Sequence, residues 1–131
     1  MNQIAILKNS VGRTDLADSG AVARPFTQPA CNTRATELAD VAVGHRTGLW
    51  ESTPGSYLRQ VAEAELMHFI AGDCTFTPEG GEPVRIEPGD TVFFPANTRG
   101  RWDMHVTVRK VYAVFAPGGC PDDSTDQAAV R

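Results

Sequence analysis

The sequence has few cysteines and histidines, no long apolar run and no excess of positive charge, and each shortage closes off a class of protein. Three cysteines, Cys31, Cys74 and Cys120, lie more than forty residues apart and form no C-x-x-C pair, which excludes a disulfide framework and a zinc ribbon. Apolar stretches of about four residues fall far below the roughly 20 that cross a bilayer as a helix, and the N-terminus shows no basic-then-apolar leader pattern. Twelve Lys and Arg stand against sixteen Asp and Glu, a formal net charge of −4. No positive field then covers the molecule to recruit DNA, RNA or an anionic membrane. The expectation is a cytoplasmic protein with reduced thiols and with neither nucleic acid nor membrane as a partner.

What is present describes one globular domain. A length of 131 residues, with 41% hydrophobic and 21% charged side chains, suits a single core and is too apolar for wholesale disorder. Composition divides the chain into residues 1–40, 41–116 and 117–131. The first part holds one short apolar run, Ile4-Ala5-Ile6-Leu7, and then a polar, Ala-rich passage with Pro25 and Pro29. It is expected as an extended arm laid over the body. The last part passes from turn formers through acids to small residues and is expected to be a mobile tail.

Between them, β-branched and aromatic runs alternate with Gly/Pro turns about 8–12 residues apart, the pattern of an all-β sandwich or barrel. Cys74-Thr75-Phe76-Thr77 and Val84-Arg85-Ile86 flank a hairpin turn, where Gly80-Gly81 can supply positive φ angles. Glu87-Pro88-Gly89-Asp90 turns into Thr91-Val92-Phe93-Phe94, Pro95 stops that strand, and residues 106–115 form a final β-branched strand.

Two spacings in this body resemble the motifs of the cupin superfamily. Six residues separate Glu65 from Gly72, as at the end of the first cupin motif, and five separate Gly89 from Pro95, as at the start of the second. The wider wording, from Gly48-Leu49-Trp50-Glu51 through residues 77–84 to Trp102 and Val108-Arg109-Lys110-Val111-Tyr112, resembles the cupin branch named after (S)-ureidoglycine aminohydrolase. The resemblance implies a double-stranded β-helix, a small jelly-roll barrel, paired into homodimers. In metal-binding cupins, two His precede the motif Glu and another His follows the second motif. Here the earlier places fall on Leu58 and Gln60, or on Arg59 and Val61, and the later one on Gly100, while the usual Gly of that turn is Asn97. A lone carboxylate does not hold Zn²⁺, Fe²⁺ or Mn²⁺, which need three or four converging donors. His68, three residues after Glu65 on one strand, faces the other way. No metal and no cofactor is expected.

If Glu65 keeps the motif's inward direction, Met67 and Phe69 follow it into the barrel. Lys110 and Tyr112 share a face of the final strand, so a cation and a phenol can look into the same cavity. A cation from Lys110 or Arg59 would take the electrostatic place of the absent metal. The candidate catalytic residues are therefore Glu65, Lys110 and Tyr112. Trp50, Tyr57, Arg59 and Trp102 are candidate ligand contacts, with Arg101 gripping an anion from the second motif. Glu51 is a candidate second carboxylate at the mouth, and Cys74 a small core residue.

The leading function is a metal-independent cupin that binds a small polar or anionic molecule. Three alternatives stand beside it: a metal-dependent hydrolase resembling the ureidoglycine aminohydrolases, a metal-free isomerase or lyase with Glu65 as base and Lys110 or Tyr112 as acid, and a structural dimer with a filled barrel.

Overall fold

The computed structural model describes residues 4–39 and 43–116. Its strands, in chain order, are β1 Ala17–Ala21, β2 Asn32–Glu37, β3 Arg46–Ser52, β4 Gly55–Gln60, β5 Glu65–Ala71, β6 Cys74–Pro78, β7 Val84–Ile86, β8 Thr91–Phe94, β9 Arg99–Met104 and β10 Val108–Val114. Two antiparallel sheets result, one in the order β1-β2-β3-β10-β5-β8 and one in the order β4-β9-β6-β7. The expected all-β architecture is present. Among the described residues no helix is long and apolar enough to cross a membrane.

Period-two alternation decides what faces inward. Glu65, Met67 and Phe69 of β5 are buried, whereas Leu66 and His68 are exposed. Strand β9 turns Gly100, Trp102 and Met104 inward, and β10 turns Val108, Lys110, Tyr112 and Val114. Phe69, Phe76, Phe94 and Trp102 meet between the sheets with ring centroids 4.6 to 6.1 Å apart. Each such side chain contributes about 1.5–3 kcal/mol by leaving water, so this cluster is the hydrophobic anchor of the domain.

The turns follow their chemistry. Gly80 has φ 76° in the hairpin between β6 and β7, as its place in a tight turn requires. Asn97, standing where the cupin motif has Gly, keeps φ 65°. Asn is among the few L-residues that tolerate this region.

The N-terminal part departs from the expected arm. It is extended but built into the sheet, because β2 pairs with β3 from Thr33 opposite Ser52 to Glu37 opposite Gly48, and β1 pairs with β2. Neither strand has an apolar run to announce it; their strand state comes from hydrogen bonding to β3, a tertiary cause that overrides weak propensity. Arg109 fastens the segment before β1, donating from Nη1 to the Ser10 and Val11 carbonyls at 2.9 and 3.0 Å and from Nη2 to the Arg13 carbonyl. The expected tail, residues 117–131, lies outside the described residues.

Candidate functional site

Register across the large sheet builds the site. One inward row runs Ala35, Trp50, Lys110 and Phe69 over β2, β3, β10 and β5; a neighbouring row runs Glu37, Gly48, Tyr112 and Met67. Gly48 permits that second row, since a Cβ there would lie 2.8 Å from the Glu37 Cα and would strike the Thr36 carbonyl. From the other sheet, Tyr57 and Arg59 of β4 stand opposite Trp102 and Gly100 of β9. Between these walls lies a cavity of about 420 Å³, whose lining includes Trp50, Tyr57, Arg59, Glu65, Lys110 and Tyr112. That volume is in the range that takes a small molecule.

The floor is a charged cluster. The Arg59 guanidinium donates to Glu65 Oε1 at 2.8 Å, and Lys110 Nζ donates to Glu65 Oε2 at 3.1 Å. Arg59 is completed by the Thr98 carbonyl at 2.9 Å and lies over the Phe94 ring, and Lys110 reaches the Met67 sulfur at 3.2 Å and lies 4.5 Å from the Trp50 ring centre. Burial would raise the Glu65 carboxyl, but the Lys110 charge and the Arg59 hydrogen bond outweigh it and hold the group below the ordinary value. Burial acts the opposite way on Lys110 and pulls its ammonium below the ordinary lysine value, although Glu65 resists. Both phenols are raised, Tyr57 by burial and Tyr112 by burial together with its bond to Glu37. Burial pushes the Cys74 thiol up to about 12, in keeping with a core role.

Seven of the eight candidate site residues therefore meet around one cavity, and Arg101 does not. It sits on β9, where alternation turns it outward to Asp103 at 3.0 Å and over the Phe26 ring. Glu51 is also displaced from the expected mouth: on the outer face of β3 it pairs with Arg34 and Arg109, each at 3.0 Å. Both residues lie on strands, where alternation sets their direction. The residues missed are Glu37, which accepts from the Tyr112 hydroxyl at 2.7 Å, and Arg46, 3.7 Å from Glu37. Glu37 belongs to β2, a strand the composition does not reveal.

A first-row metal does not fit this floor. Among the described residues no three His, Cys, Asp or Glu side chains converge. His68 bonds Thr91, His105 bonds Thr75, and His45 accepts from the Ala116 amide. At Gly100, the place of the second motif's His, a Cβ would lie 2.7 Å from the Phe76 ring, 2.8 Å from the Pro78 Cα and against the Thr77 carbonyl. Aromatic packing occupies the volume an imidazole would need, and the other inward place carries Arg59.

Two antiparallel sheets closing on a side-chain-lined cavity are the architecture of a cupin. Residues 42–112 match the EutQ-like cupin domain, and the chain belongs to that family. Its fold is similar to a DUF861 family protein of unknown function from Pseudomonas syringae pv. tomato, with 32% identity and a TM-score of 0.68 over 76% of this chain and 43% of that one. The chain thus spans less than half the length of that relative. It is also similar to the EutQ protein of Clostridium difficile, at 13% identity and a TM-score of 0.63 over 79% of this chain and 81% of that one. A DUF861 family protein of Thermotoga maritima shares 33% identity over 51% of this chain and 76% of its own, with a TM-score of 0.50. No curated protein matches the sequence.

Proposed function

We propose that this cupin binds a small anionic or zwitterionic metabolite in its cavity, without a metal. The observation that carries the proposal is the charge count on the floor: one carboxylate, Glu65, contacts two cations, Arg59 and Lys110, all three nearly sealed from solvent. Unbalanced charge in such a place is costly. A ligand carboxylate supplies the missing counter-charge, while Trp50, Tyr57 and Trp102 offer apolar walls. The open cavity supports a ligand over a filled barrel.

The hydrolase reading suggested by the ureidoglycine aminohydrolase resemblance needs a Lewis acid, and the donor set and the closed volume at Gly100 both weigh against one. The EutQ likeness, at 13% identity, is one of fold and carries no substrate. A second reading, metal-free proton transfer, is favoured by the lowered Lys110 ammonium beside Glu65.

Calorimetric titration with small carboxylates, together with elemental mass spectrometry on untagged protein, tests the proposal. Lys110→Met is expected to weaken carboxylate binding about ten- to hundredfold through the loss of a charge-assisted hydrogen bond. Unchanged affinity in a folded Lys110→Met, or a full equivalent of one transition metal in the wild type, overturns it.

A further inference from the structure

We propose that Lys110 forms an imine, its cavity-facing amine condensing with the carbonyl carbon of a small oxo acid. The inference deepens the binding function above and rests on it, because the oxo acid's carboxylate is the anion that function requires. The sequence contains two lysines. Lys8 is exposed, whereas Lys110 lines the cavity, its Nζ between Glu65, the Met67 sulfur and the face of Trp50.

Three features suit that amine to covalent chemistry. First, Lys110 can lose its proton without stranding Glu65, since Arg59 stays on the other carboxylate oxygen at 2.8 Å. Arg59 itself cannot lose a proton, so any relief of the surplus charge by deprotonation falls on Lys110. Second, the groups around Nζ from the neighbouring strands are Trp50 of β3, Arg59 of β4, Met67 and Phe69 of β5, Cys74 of β6 and Trp102 of β9, with Glu65 as the one carboxylate in contact among the described residues. A desolvated amine beside a second cation is the arrangement that raises the neutral, nucleophilic fraction of a lysine. Third, Glu65 is in hydrogen-bond reach to take and return the protons.

The step balances without an oxidant or reductant. Lys110 releases a proton to solvent, and the Nζ lone pair attacks the carbonyl carbon. The carbonyl π pair moves to oxygen, and Glu65 carries a proton from the attached nitrogen to that oxygen to give a neutral carbinolamine. The nitrogen lone pair then expels that oxygen as water, a proton from solvent completing the leaving group, and the C=N bond forms. Protonated, the imine carries the same positive charge that the ammonium gave up, so Glu65 has two cationic partners at the end as at the start, with Arg59 its partner in between.

The test uses the wild-type chain with glyoxylate and pyruvate as probes, sodium cyanoborohydride to reduce any imine, and peptide mapping by mass spectrometry. Glycolate and lactate, which lack the carbonyl, are compared by thermal shift. The expected result is one reduced adduct per chain on the Lys110 peptide, about tenfold or more above Lys8 and the terminal amine, as binding in a fixed geometry should give. Lys8→Arg should keep the adduct and Lys110→Arg should lose it; if Lys110→Arg does not fold, the wild-type peptide map still decides. Adduct spread evenly over all amines overturns the imine. Thermal shifts with all four acids but no adduct on Lys110 also overturn the imine while leaving the binding function in place. Neither shift nor adduct overturns both.

Discussion

Glu65 carries two cations, and the two do not contribute alike. Glu65→Gln leaves Arg59 and Lys110 facing each other with no carboxylate, and is expected to lower stability by about 3–5 kcal/mol. Lys110→Met places an unbranched apolar chain beside Met67, Phe69 and Trp50 and leaves Arg59 and Glu65 as a neutral pair. Its stability should stay level or rise by about 1 kcal/mol, even as ligand binding weakens. Urea midpoints of the two variants check this opposition. They also separate a residue kept for function from one kept for folding. The pH dependence has a definite sign. Because Glu65 is held below its ordinary value of 4.5, the unfolded chain takes up the proton first as pH falls. The stabilisation is complete above about that pH and is lost as pH drops through the folded value, a loss that Glu65→Gln should not show. The sequence exposes this cluster well: one motif Glu and alternation along two strands suffice to name Glu65, Arg59 and Lys110, although not the simultaneous contact of both cations.

β5, β6, β8 and β10 are legible because their apolar and β-branched runs are set off by turn formers or by the motif Glu. β1 and β2 are not, because Asn32–Glu37 contains only small and polar residues and Arg34 points outward to Glu51. β2 is nevertheless what places Glu37 at Tyr112, so the unread strand supplies the unread part of the site. Arg109 links the segment before β1 to the body from the outer face, opposite in direction to Lys110. Arg109→Ala removes its hydrogen bonds to three carbonyls of the N-terminal segment, and should cost about 2 kcal/mol. Amide exchange in residues 4–16 should rise sharply while carboxylate affinity stays as it was; equal loosening of β10 would contradict this division of faces. The β9 strand yields a sharper case. Gly100→His restores the cupin motif residue by name, yet its Cβ meets the Phe76 ring at 2.7 Å. The variant should lose about 1–3 kcal/mol or more through overpacking and bind no stoichiometric Zn²⁺ by elemental analysis.

For the molecule as a whole, both sheets and the N-terminal strands wall the same cavity, so a bound anion should stabilise the entire fold rather than one loop. At a hundredfold excess over its Kd, a ligand adds about 2.7 kcal/mol to unfolding. Tryptophan fluorescence from Trp50 and Trp102 should therefore shift its urea midpoint together with the far-ultraviolet signal of the sheets. The size of that shift depends on the charge of Lys110. Burial, opposed by Glu65, sets its ammonium below the ordinary 10.5, so the site loses its surplus cation at a lower pH than an exposed lysine would. With lactate, which binds only by charge, the stabilisation should fall as pH rises through that folded value. With pyruvate and a reductant, the rate of adduct formation on Lys110 should climb over the same interval, because the neutral amine is the nucleophile. The two trends must cross in opposite directions if one amine serves both purposes. Parallel trends would mean that the group attracting the anion and the group attacking the carbonyl are different residues.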